Sequence, residues 1–136
     1  MTPLTKRPRT LYEVSYRVSA GEQAFDPALR EFLDSFYSLP DIRQSAIAQQ
    51  PLVLDDLHDA YLAAVAEHLA RVYGLDIPEW SETHGSGHRR AWFAGGLESL
   101  KATLFVQSPT AFRRRLLFVS KDALSRPRMA EEMPIA

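Results

Sequence analysis

Residues 55–73, DDLHDAYLAAVAEHLARVY, constrain the fold more than any other stretch of this 136-residue chain. Leu57, Tyr61, Val65, Leu69 and Val72 recur at three- and four-residue steps, the spacing of one helical face. Ala60, Ala63, Ala64 and Ala66 lie among them, and such small side chains suit close helix packing. Asp55 and Asp56 favour the positive N-terminal end and Arg71 the negative C-terminal end. Gly74 supplies the left-handed residue that ends a helix.

The flanking segments read the same way. Asp26-Pro27 predicts a helix start with Asp at the N-cap, a face of Leu29, Phe32, Leu33, Phe36 and Tyr37, and a stop at Pro40. DIRQSAIAQQ predicts a short helix ending before Pro51. In LYEVSYRVSA, Tyr12, Val14, Tyr16 and Val18 alternate like a strand, while Leu11, Val14 and Val18 fit a helical stripe. No partner strand follows nearby, which favours the helix. Beyond a loop at THGSGH, Leu97, Leu100, Leu104 and Phe105 mark another helix. Ser108-Pro109 resembles a second cap-plus-proline start, leading to Ala111, Phe112 and Leu116, and Ser120 is placed to cap a last turn with Ala123 and Leu124. Phe105, Phe112 and Leu116 are expected in the core. The expectation is an all-α, compact single-domain bundle of about five to seven helices spanning residues 11–126. Residues 1–10 and 127–136 are expected to be flexible tails.

A chain of this length buries about two thirds of its unfolded surface. Hydrophobic residues at 46% and charged residues at 24% are ordinary for a globular protein. There is no cysteine, which excludes disulfides and thiolate zinc sites. No run has signal-peptide or membrane-spanning length, so a cytoplasmic protein without membrane contact is expected. The net charge of −1 hides a segregation. Residues 22–82 hold twelve acidic and three basic side chains, a balance of −9, and residues 83–128 hold two acidic and nine basic, a balance of +7. The acidic half either pairs with the basic half inside the fold or leaves charge for a partner.

Catalytic chemistry finds little footing. His58 and His68 stand ten residues apart on one helix, too far to share a metal, and neither completes a metalloprotease spacing. His84 and His88 fall in a Gly-Ser loop and read as solvent-exposed; His68 reads as a core-edge residue. No serine sits in a nucleophile elbow. Gly85, Gly87, Gly95 and Gly96 match no phosphate-loop or dinucleotide fingerprint. The sequence therefore predicts no enzyme, no metal and no cofactor.

The basic cluster asks for a partner. Arg113, Arg114 and Arg115 are consecutive and would fan over about 200° of a helix, leaving at least two in solvent. Guanidinium forks suit phosphates and carboxylates alike. A pI near 6.4 disfavours a dedicated nucleic-acid binder, and no reader motif is present. Trp80 and Trp92-Phe93 read as core-edge residues that could anchor an interface.

Four segments, FDPALREFLDSFYSLP (25–40), LHDAYLAAVAEHLARVYGLDIPEW (57–80), RRAWFAGGLESLKA (89–102) and SPTAFRRRLLFVSKDALSR (108–126), resemble a family of small, mostly uncharacterised bacterial proteins. That family shows an AEHLA..YGL..P.W helix, an RPWF step and a closing SPAAFR.R.IFVSANAL.R segment. The likeness covers most of residues 11–126; the chain departs at Ala91, where the family has Pro, and at Lys121-Asp122, where it often has Ala-Asn. The resemblance implies a partner component, an antitoxin that neutralises a nucleotidyltransferase-like toxin by direct contact. Its expected contact residues are Trp92, Phe93, Arg113, Arg114, Arg115 and Phe118, with the turn at 118–120. The alternative is a nucleic-acid-associated regulator using the basic 88–128 segment.

Overall fold

A computed structural model of the chain describes residues 7–96 and 98–126. Residues 1–6 of the expected tail at 1–10, the expected tail at 127–136, and the helix position expected at Leu97 lie outside the described residues. The fold class is all-α. The described residues form six α-helices, several 3-10 turns and one two-residue parallel bridge. The packing divides into two compact units, residues 7–54 with 125–126, and residues 55–124.

In the first unit, α1 (Leu11–Ser19), α2 (Phe25–Ser38) and α3 (Arg43–Ala48) pack together. The helical stripe of 11–18 prevails over the strand-like alternation. Thr10 caps α1 through its hydroxyl, which accepts from the Glu13 N–H at 3.0 Å, and the Glu13 carboxylate accepts from the Arg9 N–H at 2.6 Å. Leu29, Phe32, Leu33 and Phe36 of α2 are buried, as their spacing predicts, and Tyr37 is half-buried. Asp26 is not the cap. The helix begins two residues earlier than that cap would place it, behind Ala24, and Asp26 sits in its first turn, where its charge still complements the helix dipole. Arg43 closes the other end, donating to the carbonyls of Phe36 at 3.0 Å and Tyr37 at 3.2 Å. Arg126 pairs with Asp34 at 2.9 Å.

In the second unit, α4 (Asp56–Tyr73) is the longest element. Asp55 caps it by accepting from the His58 N–H at 2.8 Å, and Gly74 ends it at φ 68°. Its buried face is broader than the predicted stripe and includes every residue from Leu62 to Glu67, whereas Val72 is exposed. Helix α4 packs against α6 (Thr110–Arg113) and the 3-10 turn Glu79–Glu82. Strand β1 (Trp92–Phe93) pairs in parallel with β2 (Leu117–Phe118), Trp92 opposite Leu117 and Phe93 opposite Phe118. Helix α5 (Lys101–Gln107) packs on β2.

Three expectations about this unit change. Ser108 does not cap α6. Its hydroxyl is buried, lies 2.8 Å from the Leu104 carbonyl and 3.0 Å from that of Val119, and accepts from the Val119 N–H at 2.7 Å. It thus ties the end of α5 to the residue after β2. Phe105 is 56% exposed, because α5 turns Leu104 inward instead; its ring stacks on Phe118 at 5.1 Å. Leu116 is exposed too. The α6 helix stops at Arg113, and Leu116 at φ 64° takes a left-handed conformation that swings the chain into β2 and buries Leu117, Phe118 and Val119. Phe112 is fully buried as expected.

Candidate functional site

The centre of the second unit is a charged cluster on the alanine face of α4. Glu67 is 1% exposed, amid Ala63, Ala64, Ala66 and Ala70. A carboxylate there must be paired, since an isolated buried charge is too costly to keep. Its Oε1 accepts from Arg115 Nη1 at 2.6 Å and lies 3.2 Å from Arg114 Nε, and its Oε2 accepts from Arg71 Nε at 2.7 Å. Burial pushes the Glu67 carboxyl upward. The hydrogen bonds from Arg115 and Arg71 and the charges of Arg115 and Arg114 outweigh it, holding the group below the usual carboxylate range.

Arg115 is nearly enclosed, with 11% of its side chain exposed. It also donates to the Ala111 carbonyl at 2.8 Å and the Ser81 carbonyl at 3.0 Å. Arg114 is half in solvent and reaches Glu82 at 3.2 Å. Arg113 folds back on its own segment, donating to the carbonyls of Ser108 at 2.8 Å and Val106 at 3.3 Å. The acidic and basic halves of the sequence therefore meet within this unit, buried at Glu67 and at the surface at Glu82, while Arg113 and Arg114 keep exposed surface.

The THGSGH loop differs from its reading as an exposed flexible segment. His84 is buried, edge-on to Trp80 at 5.4 Å, with Nε2 3.4 Å from Asp59 Oδ1. His88 is half-buried. The glycines explain this packing. A Cβ on Gly85, at φ 74°, would lie 2.1 Å from the Ala60 backbone nitrogen, and one on Gly87 would lie 2.9 Å from both Asp56 carboxylate oxygens. The loop backbone thus presses on the first turns of α4 at Gly85, where no side chain fits, and lies against the Asp56 side chain at Gly87. Desolvation lowers the His84 pKa, and the Asp59 charge only partly restores it. His68, beside Phe112 at 6.1 Å, is lowered by burial in the same way.

Two openings flank this loop. A pocket of about 320 Å³ is bounded by Glu82, His84, Ser86, His88, Arg114 and Arg115. A shallower groove of about 470 Å³ runs along Asp56, Leu57, His88, Arg89, Arg90 and Trp92. Arg89 and Arg90 are exposed. Trp92 and Phe93 are half-buried; Trp92 packs edge-on to Tyr61 at 6.1 Å and Phe93 stacks on Phe118 at 4.8 Å. Phe118 itself is 4% exposed and supports Phe93 and Phe105 from beneath. Among the described residues, no three His, Asp or Glu side chains converge as a metal site.

The sequence reading gave no pairing role to Glu67, Glu82 or Asp59 and missed the buried state of His84. One signal was available for Glu67: an acid set in an alanine-lined helical face must meet a cation, and Arg113–Arg115 are the densest supply. No family model, curated protein or solved structure matches the chain. No described helix is long and apolar enough to cross a membrane.

Proposed function

We propose that the protein is a non-enzymatic partner-binding component acting in the cytoplasm, and that its contact face is the cationic surface around Arg89, Arg90, Trp92 and Arg114. One observation carries this reading: the buried Glu67 anchors Arg115 and Arg114 at a pocket that shares His88 with a groove whose rim bears two further exposed arginines. Arginines held in fixed geometry lose little freedom on binding, and an exposed cationic rim speeds encounter with an acidic surface. A half-buried tryptophan beside them supplies an apolar anchor. Together with the resemblance noted above, this favours an antitoxin whose partner is a nucleotidyltransferase-like toxin presenting acidic residues.

Co-expression with such a toxin tests the reading. A stoichiometric complex and restored growth are expected, and Arg89→Glu with Arg90→Glu should slow association and increase its loss at high salt. Absence of a complex, or kinetics unmoved by charge reversal, contradicts it. The same exposed arginines beside Trp92 suit a nucleic-acid backbone, which is the second reading. A salt-sensitive gel shift at near-physiological ionic strength, without a protein partner, favours that alternative.

A further inference from the structure

We propose that the pocket between the 82–88 loop and Arg114–Arg115 is an oxyanion socket, taking one carboxylate or phosphate group. This deepens the partner-binding reading by naming the group the partner presents, and it rests on that reading only for where the oxyanion comes from. The pocket wall is rich in donors. Arg114 and Arg115 border it, and both are fixed from behind by Glu67. Ser86 contributes an exposed hydroxyl. His84 and His88 both belong to its wall, each has a buried Nε2 with no hydrogen-bond partner within the protein, and the His84 residue is only 6% exposed. The 3.4 Å approach of His84 Nε2 to Asp59 lacks the geometry of a hydrogen bond. Two imidazole nitrogens left unsatisfied at one small pocket are a cost, which a ligand able to accept from them would remove.

The ligand class follows from the donor set. Guanidinium N–H, imidazole N–H and hydroxyl groups all donate to anionic oxygen. Glu82 is the one acid on the wall; its side chain is 61% exposed and it holds Arg114 at 3.2 Å. It occupies the place a ligand oxygen would take on that guanidinium, so Glu82 is a built-in competitor that an incoming oxyanion displaces into solvent. A volume of about 320 Å³ admits a single phosphate or carboxylate group with part of the chain that bears it.

The test uses the chain alone. Inorganic phosphate and sodium acetate are titrated separately at constant ionic strength, while ring resonances of His84 and His88 are followed by NMR. Saturable shifts of both rings are expected with one or both anions, with a dissociation constant on the order of a millimolar for so small a ligand. Arg114→Gln should weaken binding about tenfold, by loss of a charge-assisted bond. Glu82→Gln should tighten it a few-fold, by removing the competitor. Opposite signs at two exposed positions are not produced by general damage to the fold. Stronger binding of phosphate points to a phosphorylated ligand, and preference for acetate points to an acidic side chain. Rings that do not shift with either anion, or equal binding by wild type and both variants, overturn the socket. Failure of toxin capture with saturable ring shifts would instead sink the partner assignment and leave the socket intact.

Discussion

Replacing Glu67 by Gln isolates what the buried cluster contributes to the second unit. The three arginines around it respond differently. Arg71 and Arg114 have 56% and 43% of their side chains exposed and can turn to water when the carboxylate charge is lost. Arg115, at 11%, cannot. Its bonds to the Ala111 and Ser81 carbonyls remain, but its charge is left without a counter-ion. Breaking a buried ion pair from one side costs about 3–5 kcal/mol, and the amide oxygen of Gln recovers roughly 1 kcal/mol as an acceptor. The expected loss is therefore about 3 kcal/mol, or about 10 °C in Tm for a chain of this size. Urea denaturation followed by circular dichroism measures it. Arg71→Ala, which removes only a half-exposed partner, should cost under about 1 kcal/mol. Pairing Glu67→Leu with Arg115→Met should restore most of the stability, because no charge is then stranded. A Glu67→Gln loss below about 1 kcal/mol, or strict additivity in the Leu/Met pair, would refute the view that Glu67 and Arg115 act as a buried pair.

Gly85→Ala and Gly21→Ala share φ 74°, yet only the first meets backbone, so Gly85→Ala should lower Tm well beyond the roughly 1 kcal/mol of left-handed strain expected at Gly21; equal losses would mean the loop does not lie against α4. Ser108→Ala removes a buried hydroxyl that both accepts and donates, and about 1–3 kcal/mol should be lost in thermal melts. His84 and His68 have folded pKa values below their ordinary 6.5, so the unfolded chain binds more protons there. Their contribution is complete above about pH 6.5 and is lost as pH falls through the lowered folded values. His84→Gln should accordingly flatten the stability profile below pH 6.5, and an unchanged slope would rule His84 out as a source of it. Glu67 acts in a lower window, its contribution present above 4.5 and lost as pH falls through its depressed folded pKa.

The helices were legible because their signals are local. Asp55 and Gly74 bound α4 where their chemistry places them, and the Leu29–Phe36 stripe faces inward as its spacing dictates. The 108–119 region was not, since its geometry is set by contacts eleven residues apart. Ser108 carries the cap residue type but bonds to Val119, and the left-handed Leu116 breaks the periodicity that had joined Phe112 to Leu116. The loop histidines were misjudged for a related reason. Gly85 and Gly87 read as freedom in sequence, whereas here the missing side chains permit contact with α4. At the candidate site, the arginine cluster was visible, and its carboxylate partner was hidden by a separation of 48 residues between Glu67 and Arg115.

The position of Glu67 also bears on the order in which the protein can be made. Until residues 110–115 have left the ribosome, the Glu67 carboxylate on the alanine face of α4 has only the half-exposed Arg71 of its own helix as a counter-charge, and that face cannot be dried at low cost. The Ser81 carbonyl and Arg115 must arrive with it. The second unit should therefore close late and in one step during synthesis, with truncations before Arg115 leaving the inner face of α4 wet and the nascent chain open to chaperones and proteases.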